Sequence, residues 1–282
     1  MQVIEQNLLI IGLAEAGKTS FIHAVDDLLQ SPGDADALRS YGLARDRSYL
    51  ERDKEKFRAG KKIGRTERNL QGATPELWFE HPATGRRGRL FLPDVDGEIF
   101  RDQWVNREWT EAYRDDLKKV SGALVFVRAD VPASNQELLG AMAKLQPPPP
   151  TEKRLPWEPK KASAQVQLVD VLQFIATKGL VPRPLRVAVL ISAWDTVEKP
   201  ENRQPKNPDS FLAREWSLLD QYLRTNSNIF LTKTYGVSAL GGTEEELKEL
   251  SKLAPQDRVK LVEGGQSSKD LTRPLRWLLE LA

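Results

Sequence analysis

The stretch LLIIGLAEAGKTSFIHAV over residues 8–25 constrains the fold more than any other part of the chain. It starts with a short, continuous apolar run that ends at Gly12, which is the pattern of a strand buried on both faces. Apolar side chains then recur at helical spacing over residues 18–30, and SPGD (31–34) ends the predicted helix. A buried strand and a buried helix joined by small and charged residues indicate a loop that holds a ligand.

The loop reads GLAEAGKT over residues 12–19 and matches the pattern GxxxxGK[ST]. Successive backbone N–H groups that open into a helix N-terminus form a concave anion site, which the helix dipole strengthens. The two glycines allow a backbone geometry that a Cβ would obstruct. Lys18 is predicted to reach the β- and γ-phosphates of a nucleotide, and Thr19 to bind Mg²⁺. The predicted phosphate site comprises Gly12, Glu15, Ala16, Gly17, Lys18, Thr19 and Ser20.

Further strands and helices alternate along the chain. Apolar runs predict buried strands over 122–130 and 184–195 and a strand with a loop over 228–240, and residues 75–81 and 88–93 predict an antiparallel hairpin. Helical patterns cover residues 98–119, 134–145, 164–178, 208–225 and 271–281. This order predicts a three-layer α/β fold with a mostly parallel sheet and one antiparallel hairpin strand, its functional loops along one rim.

The whole chain, residues 1–282, is predicted to form a single domain with insertions at about 31–73 and 146–163. The first insertion is long and charged, whereas the second is proline-rich and unsuited to a core. Segments of this kind are where partner contacts are most readily built. The polar stretch 241–270 has no decisive pattern.

Composition excludes several kinds of chemistry. The chain has no cysteine, which excludes disulfides and a thiolate nucleophile, and its two histidines, His23 and His81, argue against a histidine zinc site or a Ser-His-Asp triad. His23 is predicted to be a packed or capping residue. A net charge of +2 gives no overall field towards nucleic acid or an anionic membrane. With no apolar window of membrane-spanning length and no signal-sequence pattern, we expect a cytoplasmic protein.

Motifs spread over most of the chain resemble those of P-loop GTPases of the translation-factor and Ras-like class. The stretch DVDG, from Asp94 to Gly97, follows a predicted strand as the DxxG motif of these proteins does. The resemblance implies that Asp94 holds Mg²⁺ through water and that the Gly97 N–H contacts the γ-phosphate. It also implies a magnesium-binding threonine, for which Thr74, just before the predicted second strand, and Thr66 are the alternatives.

The resemblance further implies a base-recognition motif after a later strand. Residues 192–195 read SAWD where the family carries NKxD, and Asp195 would accept hydrogen bonds from guanine N1–H and N2–H, which adenine does not offer. Ser192 replaces the asparagine, and Ala193 replaces the lysine whose stem packs on the base. Trp194 either packs on the base or faces the core. The loop implied to meet guanine O6 consists of Ser238, Ala239 and Leu240.

GTP and GDP with Mg²⁺ are therefore the expected ligands, and the implied reaction is attack of water on the γ-phosphate, with Lys18 and Gly97 at the phosphates. Glu98 stands where many relatives place the glutamine that orients this water. A carboxylate adds negative charge beside the triphosphate, so slow intrinsic turnover is expected. Glu98 equally suits the N-terminal turn of a helix.

More narrowly, the motifs resemble the bacterial double-GTPase group found in conflict and anti-phage gene clusters. That resemblance implies a protein partner encoded nearby, either an effector or a second GTPase, and a nucleotide-dependent switch in bacterial defence. Two alternatives stay open. One is a GTP-binding scaffold subunit that does not hydrolyse GTP, and the other is a P-loop small-molecule kinase.

Overall fold

The computed structural model describes residues 5–32, 37–42, 48–59, 76–92, 103–131, 162–177, 179–199, 206–242 and 246–281. Its strands are β1 (Glu5–Ile11), β2 (Arg39–Ser40), β3 (Glu76–His81), β4 (Arg86–Phe91), β5 (Val120–Arg128), β6 (Leu185–Ser192), β7 (Phe230–Ser238), β8 (Lys260–Glu263) and β9 (Gln266–Ser268). Its helices are α1 (Lys18–Gln30), α2 (Ser48–Arg58), α3 (Glu111–Leu117), α4 (Ala164–Ile175), α5 (Trp194–Glu198), α6 (Pro208–Glu215), α7 (Ser217–Thr225), α8 (Leu247–Leu250), α9 (Pro255–Arg258) and α10 (Arg273–Leu278).

The nine described strands form one mixed sheet in the order β2-β3-β4-β1-β5-β6-β7-β8-β9. The pairings β4–β1, β1–β5, β5–β6 and β6–β7 are parallel, whereas the pairings at both edges are antiparallel. Arg128 pairs with Ser192 across β5 and β6, and Ser192 pairs with Val237 across β6 and β7. The carboxyl ends of these strands therefore reach one rim, as expected for parallel strands with crossover helices.

The apolar core lies on both faces of this sheet. Leu8 and Ile10 pack on the face covered by α1 and α10, whereas Leu9 and Ile11 pack on the face covered by α4, α6 and α7. Because successive side chains of a strand point to opposite faces, a strand buried on both sides needs a continuous apolar run. The α/β fold with three layers and a mostly parallel sheet is confirmed.

The antiparallel hairpin is confirmed as β3 and β4, joined by turn residues 82–85. A second antiparallel pair, β8 with β9, extends the other edge and falls inside the polar stretch 241–270. Sequence patterning misses this pair because its strands are short edge strands, and edge strands carry many polar side chains. The predicted helix over 134–145 lies outside the described residues.

The first predicted insertion adds to the core where it is described. Phe57 of α2 is buried and stacks on His23 of α1, with ring centroids 5.8 Å apart. Arg58 donates to the carboxylate of Asp27 on α1 through Nε at 3.0 Å and Nη2 at 2.6 Å. Burial lowers the pKa of His23, as expected for a packed imidazole. The single-domain organisation stays a prediction, because most of residues 146–163 lie outside the described part.

Within the described residues, every helix is too short or too polar to cross a lipid bilayer.

Candidate functional site

The loop between β1 and α1 has a backbone that only glycine accommodates at two points. Gly17 has φ +86°, in the left-handed region, and a Cβ there would lie 2.9 Å from the Cβ of Ser192. At Gly12 an added Cβ would lie 2.9 Å from the Cβ of Phe126. Both glycines therefore allow the loop to lie directly against the ends of β5 and β6.

The N-terminus of α1 is electrostatically suited to an anion. Gly17 caps the helix without a side-chain hydrogen bond, and the first turn contains no acidic residue. Helix N-termini carry partial positive charge and are commonly capped by Ser, Thr, Asp or Asn. Here the cap is Gly17, which has no side chain to accept from the first N–H groups, and the next residue is the cation Lys18. The charge at this end of the helix therefore favours a bound phosphate.

Lys18 is buried, with 5 % of its surface exposed, and its ammonium lies over the loop. Nζ donates to the carbonyl oxygens of Gly12 at 2.6 Å and Leu13 at 2.7 Å. Thr19 and Ser20 follow in the first turn of α1 and are half-buried. The predicted phosphate residues thus form one continuous loop and helix start, which fits a nucleotide phosphate.

Ser192 at the end of β6 contacts the phosphate loop. Its hydroxyl lies 2.9 Å from the carbonyl oxygen of Ala16, to which it donates, and 3.2 Å from that of Val127. The side chain is buried among these groups. Ser192 therefore supports the loop at Ala16. Its predicted role in binding the nucleotide stays a prediction.

Asp195 and Ser238 are brought together from the ends of β6 and β7. The Asp195 N–H donates to the Ser238 hydroxyl at 2.8 Å, and Ser238 is buried. Burial raises the pKa of the Asp195 carboxyl, hydrogen bonds from Ser238 and its own backbone N–H lower it in part, and the carboxylates of Glu246 and Asp130 raise it further. A carboxylate in this position is stabilised by a ligand that brings N–H donors to it.

Trp194 requires a correction. The prediction placed it in the nucleotide site, with base packing or a core position as alternatives. Its side chain has no exposed surface and meets Phe211 edge to face, with ring centroids 5.4 Å apart. A Cβ at Gly236 would overlap its ring. Ala193, at φ +55°, precedes α5 and directs Trp194 into the core.

The two remaining residues of the predicted base loop, Ala239 and Leu240, are half-buried and pack against the core on the α1 face of the sheet. Gly241 follows with φ +93°, and a Cβ there would overlap the Arg258 carbonyl on α9. The loop is thus packed closely on α9 beside the buried Ser238. Its contact with a guanine O6 stays a prediction.

Sequence analysis missed Arg128 and Asp130, which follow the apolar part of β5. Arg128 Nη1 donates to the carbonyl of Glu15 in the phosphate loop at 3.0 Å, and the guanidinium pairs with Asp130. Glu15 itself is exposed, at φ +63°. The sequence signal that could have identified them is their position: residues 128–130, which read RAD, stand at the carboxyl end of a predicted strand, on the same rim as the other motifs.

The remaining predicted catalytic and metal residues lie outside the described residues. They are Asp94, Gly97, Glu98, Thr66 and Thr74. Among the residues that the structure describes, no group of three His, Cys, Asp or Glu side chains is placed to hold a metal ion. Their predicted roles therefore stay predictions.

The sheet, the glycine-rich loop that opens into α1 and the paired Asp195 and Ser238 define the class as a P-loop protein with a Ras-like α/β fold. The Double-GTPase 1 family model matches residues 9–278, and the chain belongs to this family. The predicted resemblance to P-loop GTPases of translation-factor and Ras-like type is confirmed.

Three solved structures illustrate the similarity. A bacterial selenocysteine-specific elongation factor, EF-Sec, is 14 % identical with a TM-score of 0.38, and the match covers 89 % of this chain and 28 % of that one. The Arl6 BBS3 small GTPase from Trypanosoma brucei with bound GppNp is 11 % identical with a TM-score of 0.37, and the match covers 88 % of this chain and 98 % of that one. The signal recognition particle receptor SRb-GTP/SRX complex from Chaetomium thermophilum is 13 % identical with a TM-score of 0.39, and the match covers 89 % of this chain and 99 % of that one.

The chain thus spans less than a third of the length of EF-Sec. No curated protein matches the chain.

Proposed function

We propose that this chain binds GTP with Mg²⁺, hydrolyses it, and uses its nucleotide state to control contact with a protein partner. The observation that carries the proposal is that one rim of the sheet holds both a phosphate loop and the half-buried carboxylate of Asp195. Ser192 joins the two, since it contacts Ala16 in the loop and stands three residues before Asp195.

Phosphate binding follows from the loop and the start of α1. The Lys18 ammonium donates to two neutral carbonyls, those of Gly12 and Leu13. Phosphate oxygens offer the same ammonium charge-assisted hydrogen bonds, which are roughly twice as strong as neutral ones. A bound triphosphate therefore replaces these carbonyls as the partner of Lys18, while the N–H groups of the loop and the first helical turn donate to the same phosphates.

Selection of guanine follows from Asp195. Its half-buried carboxylate can accept further N–H donors, and guanine presents N1–H and N2–H on one edge. Adenine has an acceptor at N1, so its binding would leave the carboxylate without donors from the base, at a cost of about 1–3 kcal/mol. We therefore assign GTP and GDP, and not ATP, as the ligands.

Hydrolysis is the attack of a water oxygen on the γ-phosphorus while the bond to the β–γ bridging oxygen breaks. Lys18 would neutralise charge on the β- and γ-phosphates during this step. A Mg²⁺ fits here because it is commonly held by few protein ligands together with phosphate oxygens and waters, and the Thr19 hydroxyl supplies an oxygen in the first turn of α1. Thr19 and Asp94, with Thr74 or Thr66, would hold the ion, which supplies further charge neutralisation.

The remaining catalytic roles lie with two residues outside the described part. The Gly97 N–H would contact the γ-phosphate, and Glu98 would accept a hydrogen bond from the attacking water. Because a carboxylate also repels the triphosphate, we propose slow turnover that a cation from the partner accelerates.

The first insertion offers a route from nucleotide to partner. Its helix α2 is attached to α1 by the ion pair of Arg58 with Asp27, and α1 carries the phosphate loop at its other end. We place the nucleotide-dependent change in residues 60–75 and 94–104 and the partner contacts in 31–73 and 146–163. The partner would be a nearby-encoded effector or second GTPase in bacterial defence.

Isothermal titration with GTP, GDP and ATP in the presence of Mg²⁺ tests ligand binding. The wild type should bind GTP and GDP but not ATP, and Lys18→Ala should weaken both guanine nucleotides by at least tenfold. Lys252→Ala is the matched control, because Lys252 is an exposed lysine paired with Glu249. Absence of guanine-nucleotide binding by the wild type would overturn the proposal.

Analysis of the reaction products tests the chemistry. Phosphate released to water, with faster release when the products of neighbouring genes are added, supports a regulated GTPase. Transfer of the phosphoryl group to a small molecule would identify a kinase instead. Binding and partner assembly without hydrolysis would identify a scaffold. Hydrogen exchange over residues 60–75 and 94–104 that is identical with GDP and a GTP analogue would rule out the switch.

A further inference from the structure

Arg128 holds the phosphate loop from the neighbouring strand. Its Nη1 donates to the Glu15 carbonyl at 3.0 Å, and Ser192 donates to the next carbonyl, that of Ala16, at 2.9 Å. The C=O and N–H of a trans peptide point in opposite directions. Fixing the Ala16 carbonyl therefore fixes the direction of the Gly17 N–H at the start of α1. Fixing the Glu15 carbonyl fixes the Ala16 N–H, which donates to the Leu13 carbonyl at 3.3 Å and closes the turn before it.

The guanidinium is itself held in place by a carboxylate two residues further along. Arg128 Nε donates to Asp130 Oδ1 at 2.7 Å, and Nη2 pairs with Oδ2, so the two groups meet through two parallel contacts. Such a bidentate pair fixes the plane of an arginine as well as its position. The pair thus presents Nη1 to Glu15 in a defined orientation.

The backbone that carries Arg128 is also fixed. The indole N–H of Trp216 donates to the Arg128 carbonyl at 3.3 Å, and the Ala129 N–H donates to the Ser192 carbonyl at 3.0 Å. Trp216 is buried in the core. Arg128 therefore projects from a rigid strand end, which suits a residue that positions another.

The pair lies between the phosphate side and the base side of the candidate site. Arg128 contacts Glu15 in the phosphate loop, and the Asp130 charge acts on the Asp195 carboxyl. Position 193, between Ser192 and Asp195, carries an alanine and supplies no cation. Arg128, at the end of β5, instead brings a cation to the phosphate loop, at the Glu15 carbonyl.

We propose that Arg128, oriented by Asp130, is a positioning residue for the bound nucleotide: it holds the Glu15–Ala16 peptide, and with it the turn that leads into the phosphate-binding start of α1. This assignment rests on the proposed GTP binding and adds to it a residue outside the recognised motifs. Arg128 acts on affinity for the diphosphate, whereas Asp195 acts on the choice of base.

Titration of GDP and IDP, which differ only in the N2 amino group, tests this division. Arg128→Ala should weaken both nucleotides by about tenfold, which corresponds to one hydrogen bond of about 1.4 kcal/mol, and should leave the GDP-to-IDP affinity ratio unchanged. Arg128→Lys retains the charge and one donor direction and should recover part of the loss. Arg224→Ala is the matched control, because Arg224 pairs with Asp220 on α7, and it should bind as the wild type does.

Each outcome decides the question. Wild-type affinity in Arg128→Ala, or a changed GDP-to-IDP ratio, overturns the assignment of Arg128 alone. A wild type that binds no GDP overturns the proposed function and this inference with it. If Arg128→Ala does not fold, Asp130→Asn decides: a folded protein with severalfold weaker GDP binding supports the inference, and wild-type affinity overturns it.

Discussion

The Ser192 hydroxyl lies 2.9 Å from the Ala16 carbonyl oxygen, although 176 residues separate the two in sequence. One residue thus belongs to the loop suited to phosphate, and the other opens the SAWD stretch that contains Asp195. The contact joins the phosphate loop to the end of β6, three residues before Asp195. Their separation is therefore set by the pairing of β1, β5 and β6 and not by the loops themselves.

Ser192→Ala is expected to lower the free energy of unfolding by about 1 kcal/mol, because the Ala16 carbonyl loses this donor. It is also expected to weaken GDP binding, because that carbonyl sets the direction of the Gly17 N–H. Titration and urea unfolding measure the two effects. Ser121→Ala is the control, since Ser121 donates to the Asn7 carbonyl at 3.2 Å at the opposite end of β5. It should lose comparable stability and keep its GDP affinity, and equal GDP affinity in both variants would contradict the role given to Ser192.

Gly17→Ala is expected to abolish GDP binding and to destabilise the protein by more than the backbone strain alone, which is about 1–2 kcal/mol for a left-handed residue. The added Cβ would also lie 2.9 Å from Ser192 Cβ. Gly179→Ala separates the two effects, because Gly179 has a similar φ of +84° with open space around its Cβ position. Urea unfolding should show the larger loss of unfolding free energy for Gly17→Ala. Equal losses in the two variants would refute the close approach of the Gly17 Cβ position to Ser192.

Asp195→Asn is expected to raise the unfolding temperature of the nucleotide-free protein at pH 7. Burial raises the pKa of this carboxyl above its ordinary value of 3.8, so its contribution to stability is present below that value and is lost as pH rises through the folded-state pKa. At pH 7 the folded protein therefore carries a poorly solvated charge, which the amide removes. Thermal unfolding between pH 3.5 and 8 measures the effect.

The same variant should lose its preference for GTP over ATP, because the amide no longer offers two anionic acceptors. Asp115→Asn is the control, since Asp115 is exposed and Lys118 lowers the pKa of its carboxyl. That variant should gain no stability at pH 7 and should keep the preference for GTP. A full preference for GTP in Asp195→Asn would contradict the assigned base contact.

Trp194→Phe is expected to reduce stability by about 1–3 kcal/mol, because the smaller ring leaves a cavity beside Phe211 and Gly236. GDP affinity should change by no more than about twofold, since the indole belongs to the core. Denaturant unfolding and titration of the same sample measure both quantities. A large loss of affinity with unchanged stability would restore the alternative in which Trp194 packs on the base.

Sequence alone determined the long central elements and their order. The run before Gly12 had to be a strand buried on both faces because it is apolar without interruption, and the helix from Lys18 follows from side-chain spacing. The hairpin of β3 and β4 followed from alternating strands around turn residues. The loop chemistry at residues 12–19 was readable for the same reason: strand, loop and helix are contiguous, so their geometry depends little on distant residues.

Tertiary structure decided which distant side chains meet that loop. Ser192 and Arg128 reach consecutive carbonyls because β5 and β6 pair in one register, and a shift of β6 by one residue would turn Ser192 to the opposite face of the sheet from Arg128. The inward direction of Trp194 depends on the left-handed backbone at Ala193 and on the space above Gly236. Such contacts depend on strand register and backbone direction over long sequence separations, which local periodicity does not encode.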